Sequence, residues 1–140
     1  MKNFLSISDK DTKRIAENLA RSRKFRLIGL TGELGAGKTT FVQGFANALG
    51  ISQRVVSPTF VIMKTYPIVH PFFRRLVHID AYRISSSDLN ALHFSELKKD
   101  PTIIILIEWS ERLARLRPHW ILSFAHGGDL SERSITIHQK

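Results

Sequence analysis

The sequence predicts an α/β domain built on a largely parallel sheet with an antiparallel edge. Short apolar runs that are typical of buried strands alternate with segments whose apolar residues recur at helical spacing. A glycine-rich loop, "GELGAGK" at positions 32–38, separates the first such run from a helical segment. Near the C-terminus, two strand-like runs flank the turn-rich loop "GGDLSE", which indicates a hairpin at one edge of the sheet.

The N-terminal third is predicted to form a helix, a strand and a second helix. Ser8 with Asp11 three residues later is typical of a helix start, and apolar residues mark one helix face as far as Arg21. The run "FRLIGL" at 25–30 predicts a buried strand that enters the glycine loop. After the loop, apolar residues recur at helical spacing until Gly50, which is a natural stop.

The rest of the chain is predicted to contribute mainly strands. Five runs have suitable length and composition: 60–66, 76–80, 102–108, 120–126 and 133–138. The third of these, "TIIILIE", is strongly β-branched, which predicts a central strand buried on both faces. Residues 86–97 are predicted to be helical or irregular.

Length and composition favour one soluble domain spanning residues 1–140. The chain is 43% hydrophobic and contains no cysteine, which excludes disulfides and thiolate metal sites and fits a reducing compartment. The start of the chain becomes polar too early for a signal peptide, and the longest apolar run, "IIILI", is too short to span a membrane. We therefore expect a cytoplasmic protein.

The chain carries an excess of positive charge. Its formal net charge is +9 and its sequence pI is about 10.4, which favours polyanionic partners, nucleic acid first. The cations are scattered rather than gathered in one block, so a solvated basic surface is the alternative interpretation.

The glycine-rich loop fits the phosphate-binding pattern G-x-x-x-x-G-K-[ST] at every fixed position. These positions are Gly32, Gly37, Lys38 and Thr39. Glycines let successive backbone N–H groups turn towards phosphate oxygens, and the following helix N-terminus adds a favourable dipole. Lys38 would neutralise the terminal phosphates and the Thr39 hydroxyl would contact Mg²⁺. The pattern therefore predicts nucleoside triphosphate binding; the alternative is a glycine-rich turn that happens to precede a helix.

Two acids are candidates for the second metal-side group that such a site needs. Asp80 ends the run "LVHID" and Glu108 ends "IIILIE", so both should emerge at the carboxyl edge of the sheet. One would contact Mg²⁺, directly or through water, and the other would orient the attacking water or hold the metal ligands in place. The pattern alone leaves open which acid takes which role.

Three further features are open to two interpretations. "SPTF" at 57–60 lies where a γ-phosphate sensor would stand, or is a simple turn into a strand. Trp109 belongs to the core or borders the nucleotide. The six histidines show no metal-ligand spacing, and we interpret them as structural or surface residues, including His78.

Four segments in order, "GELGAGKTT", "SPTF", "HIDAYR" and "IEWSE", closely resemble the TsaE (YjeE) family of small bacterial P-loop ATPases. The resemblance covers nearly the whole chain. It implies a three-layer P-loop NTPase fold with a mostly parallel sheet and antiparallel edge strands. It also implies an ATPase that acts with the TsaB–TsaD pair to form N6-threonylcarbamoyladenosine beside the anticodon of tRNA, driving or resetting their cycle.

The resemblance also implies roles for individual residues. Thr39 and Glu108 would hold Mg²⁺, and Asp80 matches the family's other required acid, so that Lys38, Asp80 and Glu108 form the catalytic group. The residues expected to border ATP are Leu34, Gly35, Ala36, Gly37, Lys38, Thr39, Thr40, Trp109, Lys10 and Arg133.

We expect ATP hydrolysis that is weak in the isolated chain and stimulated by the TsaB–TsaD complex, because no arginine is an evident finger, although Arg83 and Arg112 could reach the site. Asp80 or a residue of "SPTF" would aid the attacking water. Two other functions are compatible with the pattern: a small-molecule kinase of the P-loop class, and an RNA-associated module in which the nucleotide is only a structural ligand.

Overall fold

A computed structural model of the protein describes residues 2–22, 24–56, 58, 61–113, 116–129 and 131–139. Its helices and strands follow each other in this order: β1 (Lys2–Ser6), α1 (Asp9–Arg21), β2 (Leu27–Gly32), α2 (Lys38–Ala48), β3 (Met63–Pro67), β4 (Arg75–Asp80), α3 (Ser86–Ala91), α4 (Phe94–Lys99), β5 (Ile103–Glu108), a one-turn 3-10 helix (Ser110–Arg112), β6 (Trp120–His126) and β7 (Arg133–Gln139).

The strands form one sheet in the order β1-β7-β6-β2-β5-β4-β3. The four inner strands β6, β2, β5 and β4 are mutually parallel, whereas β3 at one side and β7 and β1 at the other are antiparallel to their neighbours. The predicted mostly parallel sheet with antiparallel edge strands is thereby confirmed. The four parallel strands end at one edge, called here the carboxyl edge, and begin at the opposite amino edge.

Helices cover both faces of this sheet, so the fold has three layers. One buried cluster joins α1 and α2 to sheet residues such as Leu30 and Leu106, and a second joins α3 and α4 to residues such as Ile105 and Ile107. All six residues of β5 are buried, as expected for a central strand. Burial of each such aliphatic side chain contributes roughly 1.5–3 kcal/mol, which fixes β5 and the carboxylate at its end.

The helix boundaries follow the capping signals in the sequence. The Ser8 side chain accepts a hydrogen bond from the Asp11 backbone at 3.0 Å, and the Asp11 carboxylate accepts one from the Ile7 backbone at 3.2 Å. The first contact pairs a backbone donor in the first turn of α1, and the second holds the chain just before the helix. Gly50 follows α2 with φ 76°, a left-handed conformation that favours glycine, and ends the helix as predicted.

β2 begins two residues later than predicted, and three other elements differ further from the sequence-based expectation. β1 was not predicted, because in this edge strand only Ser6 is fully buried while Leu5 is 63% exposed, so the apolar alternation is weak. β3 begins at Met63, three residues later than expected, after Ile62 with φ 69°. Residues 86–97, whose structure the sequence left open, form most of α3 and α4, separated at His93 with φ 57°.

Helices α1 and α2 approach each other closely at a glycine. A Cβ atom built on Gly44 would lie 2.6 Å from both the Cα and the carbonyl oxygen of Lys13. Because these are backbone atoms, neither can move aside without shifting α1. Gly44 therefore sets the spacing between the two helices, and with it the position of α2 behind the phosphate loop.

Substitution of Gly44 by alanine should destabilise the protein by about 1–3 kcal/mol, because the added methyl group overpacks the contact with Lys13. The sign of this change in stability distinguishes a close contact from an exposed site, because glycine to alanine in an exposed helix interior normally stabilises a protein by about 1 kcal/mol. Urea denaturation measures the change. Asn18→Ala on the exposed side of α1 is the matched control and should change stability by less than about 1 kcal/mol. A Gly44→Ala variant as stable as the wild type would contradict the close contact.

Candidate functional site

The glycine-rich loop connects β2 to α2 at the carboxyl edge, and two of its glycines are required by geometry. Gly32 has φ 131°, and a Cβ atom there would lie 2.2 Å from the Phe124 carbonyl oxygen of β6. Gly37 has φ 102° and is the residue immediately before α2. Both conformations are rare for residues with a side chain, so the loop curves as it does only with glycine at these positions.

Lys38 is buried under this loop. Its ammonium group donates hydrogen bonds to the carbonyl oxygens of Gly32 and of Glu33, the latter at 2.9 Å. It also lies 3.9 Å from the centre of the Trp109 ring, a cation–π contact. The first turn of α2 thus presents its only cation to the inside of the loop, where a phosphate chain would lie.

Four carboxylates surround this cation. Burial lowers the pKa of Lys38, while four acids oppose that shift by their negative charge: Glu108, Glu111, Asp80 and Glu33. One of them, Glu111, also accepts a hydrogen bond from the Gly32 backbone at 3.1 Å. The carboxyl edge is therefore strongly acidic around one buried lysine.

Glu108 joins the central sheet to the start of α2. This residue is only 3% exposed. One carboxylate oxygen, Oε1, accepts a hydrogen bond from the Thr39 hydroxyl at 3.1 Å, and the other, Oε2, accepts one from His78 Nε2 at 2.5 Å. Because a buried carboxylate needs charge or hydrogen-bond partners on both oxygens, these two contacts fix the orientation of Glu108.

His78 is a site residue that sequence reasoning missed. It was interpreted as structural or surface, yet it is completely buried and its ring contacts Glu108 directly. Its Nδ1 atom is buried without a hydrogen-bond partner. The sequence shows only that His78 precedes Asp80 by two residues and so shares its face of the predicted strand. In the structure His78 pairs with Leu106 in the parallel β4–β5 register, which places it diagonally beside Glu108.

Asp80 lies beside Glu108 at the carboxyl edge, as the sequence predicts. The two residues are direct partners in the β4–β5 register, and Asp80 is 7% exposed. One Asp80 carboxylate oxygen accepts a hydrogen bond from the Tyr82 backbone at 2.9 Å, which holds the chain as it leaves β4. The two strand-end acids thus stand together next to Lys38.

A cavity of about 420 Å³ opens in front of these groups. It brings together ten residues: Asp9, Leu34, Gly35, Gly37, Lys38, Thr39, Thr40, Glu108, Trp109 and Arg133. Eight of the residues predicted to border the nucleotide are among them. Ala36 is buried and does not line this cavity, and Leu34 at the tip of the loop is 82% exposed.

The structure does not bring Lys10 to this cavity. Lys10 lines a separate cavity along α1 together with Ile7 and Arg14, while the preceding residue, Asp9, faces the glycine-rich loop. The resemblance to the TsaE family led to the expectation that Lys10 borders the nucleotide, but the helical turn directs Asp9 and Lys10 to different surfaces.

Trp109 lies at the edge of the cavity rather than wholly in the core. It is partly exposed, has φ 60°, and its ring packs against Tyr82 with centroids 5.0 Å apart. The Arg112 guanidinium lies over both rings, 4.4 Å from the Tyr82 centroid and 5.8 Å from that of Trp109. Of the "SPTF" segment, Ser57, Thr59 and Phe60 lie outside the described residues, and the predicted sensing role of this segment stays a prediction.

The groups present fit a magnesium ion that arrives with a nucleotide. Within the described residues, no three His, Asp or Glu side chains come together as an all-protein metal site. Mg²⁺ in nucleotide sites instead takes one or two protein oxygens and completes its shell with water and phosphate oxygens. The Thr39 hydroxyl and the Glu108 carboxylate, 3.1 Å apart at the head of α2, are such a pair.

Comparison with known proteins identifies the family. A sequence profile described as "Threonylcarbamoyl adenosine biosynthesis protein TsaE" matches residues 6–135. The chain belongs to the TsaE family. The role of this family lies in tRNA threonylcarbamoyladenosine biosynthesis, and its members are nucleotide-binding P-loop proteins. Among the described residues of this TsaE chain, no helix has both the length and the apolar character needed to cross a membrane.

Individual relatives agree with this assignment. The chain is 37% identical to the TsaE protein of Aquifex aeolicus, with 100% of this chain and 98% of the relative covered, and 35% identical to that of Bacillus subtilis, with 94% and 82% covered. The match to the Streptomyces coelicolor protein is 41% identical but spans 61% of this chain and 57% of that protein. The crystal structure of Bacillus subtilis YdiB superposes with a TM-score of 0.73 at 30% identity, covering 99% of this chain and 84% of YdiB.

Replacing His78 by leucine should destabilise this TsaE chain by about 3–5 kcal/mol, because Glu108 then remains buried without its partner. In a double-mutant cycle with Glu108→Leu, the double variant should be more stable than the sum of the single changes predicts, by about 1–3 kcal/mol. Urea denaturation of the four proteins measures this coupling.

The control for this cycle pairs His78→Leu with Asp88→Asn in α3, on the other face of the sheet. These two changes should add within about 0.5 kcal/mol. A coupling between His78 and Glu108 no larger than that of the control pair would contradict the proposed support of Glu108 by His78.

Proposed function

We propose that this chain is a single P-loop ATPase domain, cytoplasmic, that binds ATP with Mg²⁺ and hydrolyses it. In this proposal its hydrolysis drives or resets the TsaB–TsaD complex as that complex forms N6-threonylcarbamoyladenosine next to the tRNA anticodon. The observation that carries the proposal is the Thr39–Glu108 hydrogen bond at the head of α2, directly beside the buried Lys38. A loop that served only as a turn would need neither the buried cation nor the buried acid.

Each group has a distinct part in binding. The backbone N–H groups of residues 34–40 would hold the phosphate oxygens, helped by the N-terminal dipole of α2. The Lys38 ammonium, which now donates to two loop carbonyls, would turn to the terminal phosphates, since a phosphate oxygen is a stronger acceptor than a carbonyl. Thr39 and Glu108 would hold Mg²⁺, which supplies neutralisation of the phosphate charge when it is bound.

The remaining site residues would orient the reactants. Asp80, beside Glu108 but outside the lining of the cavity, is the candidate that accepts a hydrogen bond from the attacking water. Trp109 and Arg133 lie at the cavity wall, where they would border the nucleotide. Lys10 would take part only if α1 or the nucleotide reached across to its surface, which makes it the weakest member of the predicted set.

Hydrolysis by the isolated chain should be slow. The Arg112 guanidinium stacks on the Tyr82 and Trp109 rings, and Arg133, which lines the cavity, donates a hydrogen bond to the Glu132 carbonyl, so we assign neither as an arginine finger. P-loop enzymes without an arginine finger lack a main source of charge stabilisation in the transition state. The TsaB–TsaD complex, in this proposal, completes the site.

ATP with Mg²⁺ should change the fluorescence of Trp109, which lies 3.9 Å from the Lys38 ammonium. A Trp120→Phe background leaves Trp109 as the single tryptophan reporter.

Lys38→Met should weaken ATP binding at least about 100-fold, because the buried cation that pairs with the phosphates is lost. Thr39→Val should weaken binding in Mg²⁺ at least about tenfold and leave binding in EDTA nearly unchanged, because the Thr39 hydroxyl would contact the metal and otherwise contacts Glu108 rather than the phosphates.

The matched control is Thr65→Val on the exposed edge strand β3, which should bind like the parent in both buffers. If ATP with Mg²⁺ produced no signal and no calorimetric heat with the parent protein, the nucleotide site would be refuted. If Thr39→Val lost equal affinity with and without Mg²⁺, the assignment of Thr39 as a metal ligand would be wrong.

Addition of the TsaB–TsaD complex should raise the ATPase rate about 10³- to 10⁵-fold if it supplies the missing charge stabilisation. Phosphate release under single-turnover conditions measures the rate. Asp80→Asn should lower the stimulated rate while leaving ATP affinity within about threefold, because a water-positioning group acts mainly in the transition state. An isolated chain that hydrolyses ATP at the stimulated rate would contradict this regulatory role.

A further inference from the structure

The topology collects positive charge at the amino edge of the sheet, opposite the nucleotide site. The segments at or just before the starts of β2, β4, β5 and β6 meet there because these strands are parallel. They carry seven cations, defined here as the basic edge: Lys24, Arg26, Arg74, Arg75, Lys98, Lys99 and Arg117. Charges that are scattered along the sequence therefore share one surface.

Hydrogen bonds show that these segments touch one another. The Arg26 guanidinium donates to the carbonyl oxygens of Lys98 and Asp100, both at 3.1 Å. The Arg74 backbone donates to the Thr102 carbonyl at 2.8 Å. Burial, together with the positive charges of Arg26 and Lys98, lowers the pKa of His119 on the neighbouring segment. The basic edge is thus a continuous surface.

Negative charge is nearly absent from these segments. Asp100 is the one acid within residues 24–26, 74–75, 98–102 and 117–119. Its carboxylate already accepts two hydrogen bonds from Thr102, one from the backbone at 2.9 Å and one from the hydroxyl at 2.7 Å. The acids around Lys38 lie instead at the carboxyl edge. The molecule is therefore polarised across the sheet, acidic at the nucleotide site and basic at the opposite edge.

A cavity of about 360 Å³ opens on this basic surface between α3, α4 and the segment that precedes β6. Lys98, Lys99 and Arg117 line it together with the hydroxyls of Ser86, Ser87 and Ser95. Its charged lining residues are all cations, and the hydroxyls are neutral hydrogen-bond donors. This combination suits a phosphate group with its neighbouring sugar hydroxyl.

An exposed aromatic ring stands at one end of the basic edge. The β3–β4 hairpin loop carries Phe72, which is 52% exposed and packs edge-on against Phe73 at 5.1 Å. The His70 ring accepts hydrogen bonds from the Phe72 and Phe73 backbones at 3.0 and 3.1 Å, so the loop holds a fixed shape. An exposed ring beside Arg74 and Arg75 offers a stacking surface for an unpaired base.

We propose that the basic edge binds the phosphate backbone of RNA. The four parallel strands lie about 4.8 Å apart, so their amino ends span about 14 Å. One strand of double-stranded DNA carries one phosphate per about 3.4 Å of helix axis, and with a similar spacing about four phosphates of an RNA strand would face this span. A partner protein with an acidic surface would match the charge of the basic edge. It would not account for the hydroxyl-lined cavity or for the exposed ring of Phe72. RNA on the basic edge leaves the nucleotide site at the opposite edge open, and this binding does not require ATP.

Fluorescence anisotropy with a fluorescein-labelled tRNA transcript tests the proposal. Wild-type affinity should fall steeply between about 50 and 200 mM KCl because counterions are released on binding. The triple variant Lys98→Gln, Lys99→Gln, Arg117→Gln should bind at least about tenfold more weakly at about 100 mM KCl, with the slope of log affinity against log salt reduced by about two to three.

The control variant removes the same charge elsewhere: Lys13→Gln, Arg14→Gln and Lys64→Gln, all exposed residues away from the basic edge. It should keep at least about half of the wild-type affinity and slope. Both triple variants should retain ATP binding by Trp109 fluorescence, which shows that they fold and separates this test from that of the nucleotide site. The proposal is overturned if wild type does not bind the transcript, if both triple variants lose affinity equally, or if polyglutamate competes as well as unlabelled RNA.

Discussion

The arrangement of the sheet, the phosphate loop and α2 around the candidate site depends on one buried carboxylate. Glu108 stands at the end of the fully buried strand β5, and its two oxygens are held by groups from different layers, His78 in the sheet and Thr39 in α2. An ionised carboxylate in this environment is costly unless both oxygens are paired. The sheet, the phosphate loop and the helix behind it must therefore keep their mutual positions for Glu108 to remain buried, and the same constraint holds both of its carboxylate oxygens at fixed points.

Charge explains why the ligand expected here is a metal-bound nucleotide. Lys38 shares the carboxyl edge with four acids, so this edge would repel a bare triphosphate. An ion held between the acids and the phosphates changes repulsion into attraction. In the absence of a nucleotide, the Lys38 ammonium donates hydrogen bonds to the loop carbonyls of Gly32 and Glu33. These contacts keep the loop curved rather than collapsed. The opposite edge carries an excess of positive charge, so the two ends of the parallel strands differ in electrostatic character.

Much of this organisation could be predicted from the sequence, because it depends on local signals. The G-x-x-x-x-G-K-T pattern fixed the positions of β2, α2 and Lys38, and the apolar runs ending in Asp80 and Glu108 predicted two acids at one edge. Other features depend on pairing between distant segments. In the sequence His78 resembles any other strand residue, and only the β4–β5 register shows that it lies beside Glu108. Likewise, β1 forms because it pairs with β7 at the edge of the sheet. The basic edge could not be predicted from the sequence either, because only the parallel topology brings Arg26, Arg74 and Lys98 together.

A crystal structure of the chain with Mg²⁺ and a non-hydrolysable ATP analogue would show whether Thr39 and Glu108 hold the metal. We expect the metal about 2.0–2.1 Å from the Thr39 hydroxyl oxygen, with Glu108 bound directly or through one water, still in contact with His78. We also expect the Lys38 ammonium to leave the Gly32 and Glu33 carbonyls for the terminal phosphates. A metal bound away from Thr39 and Glu108, or a nucleotide bound while Lys38 still contacts both loop carbonyls, would contradict these expectations.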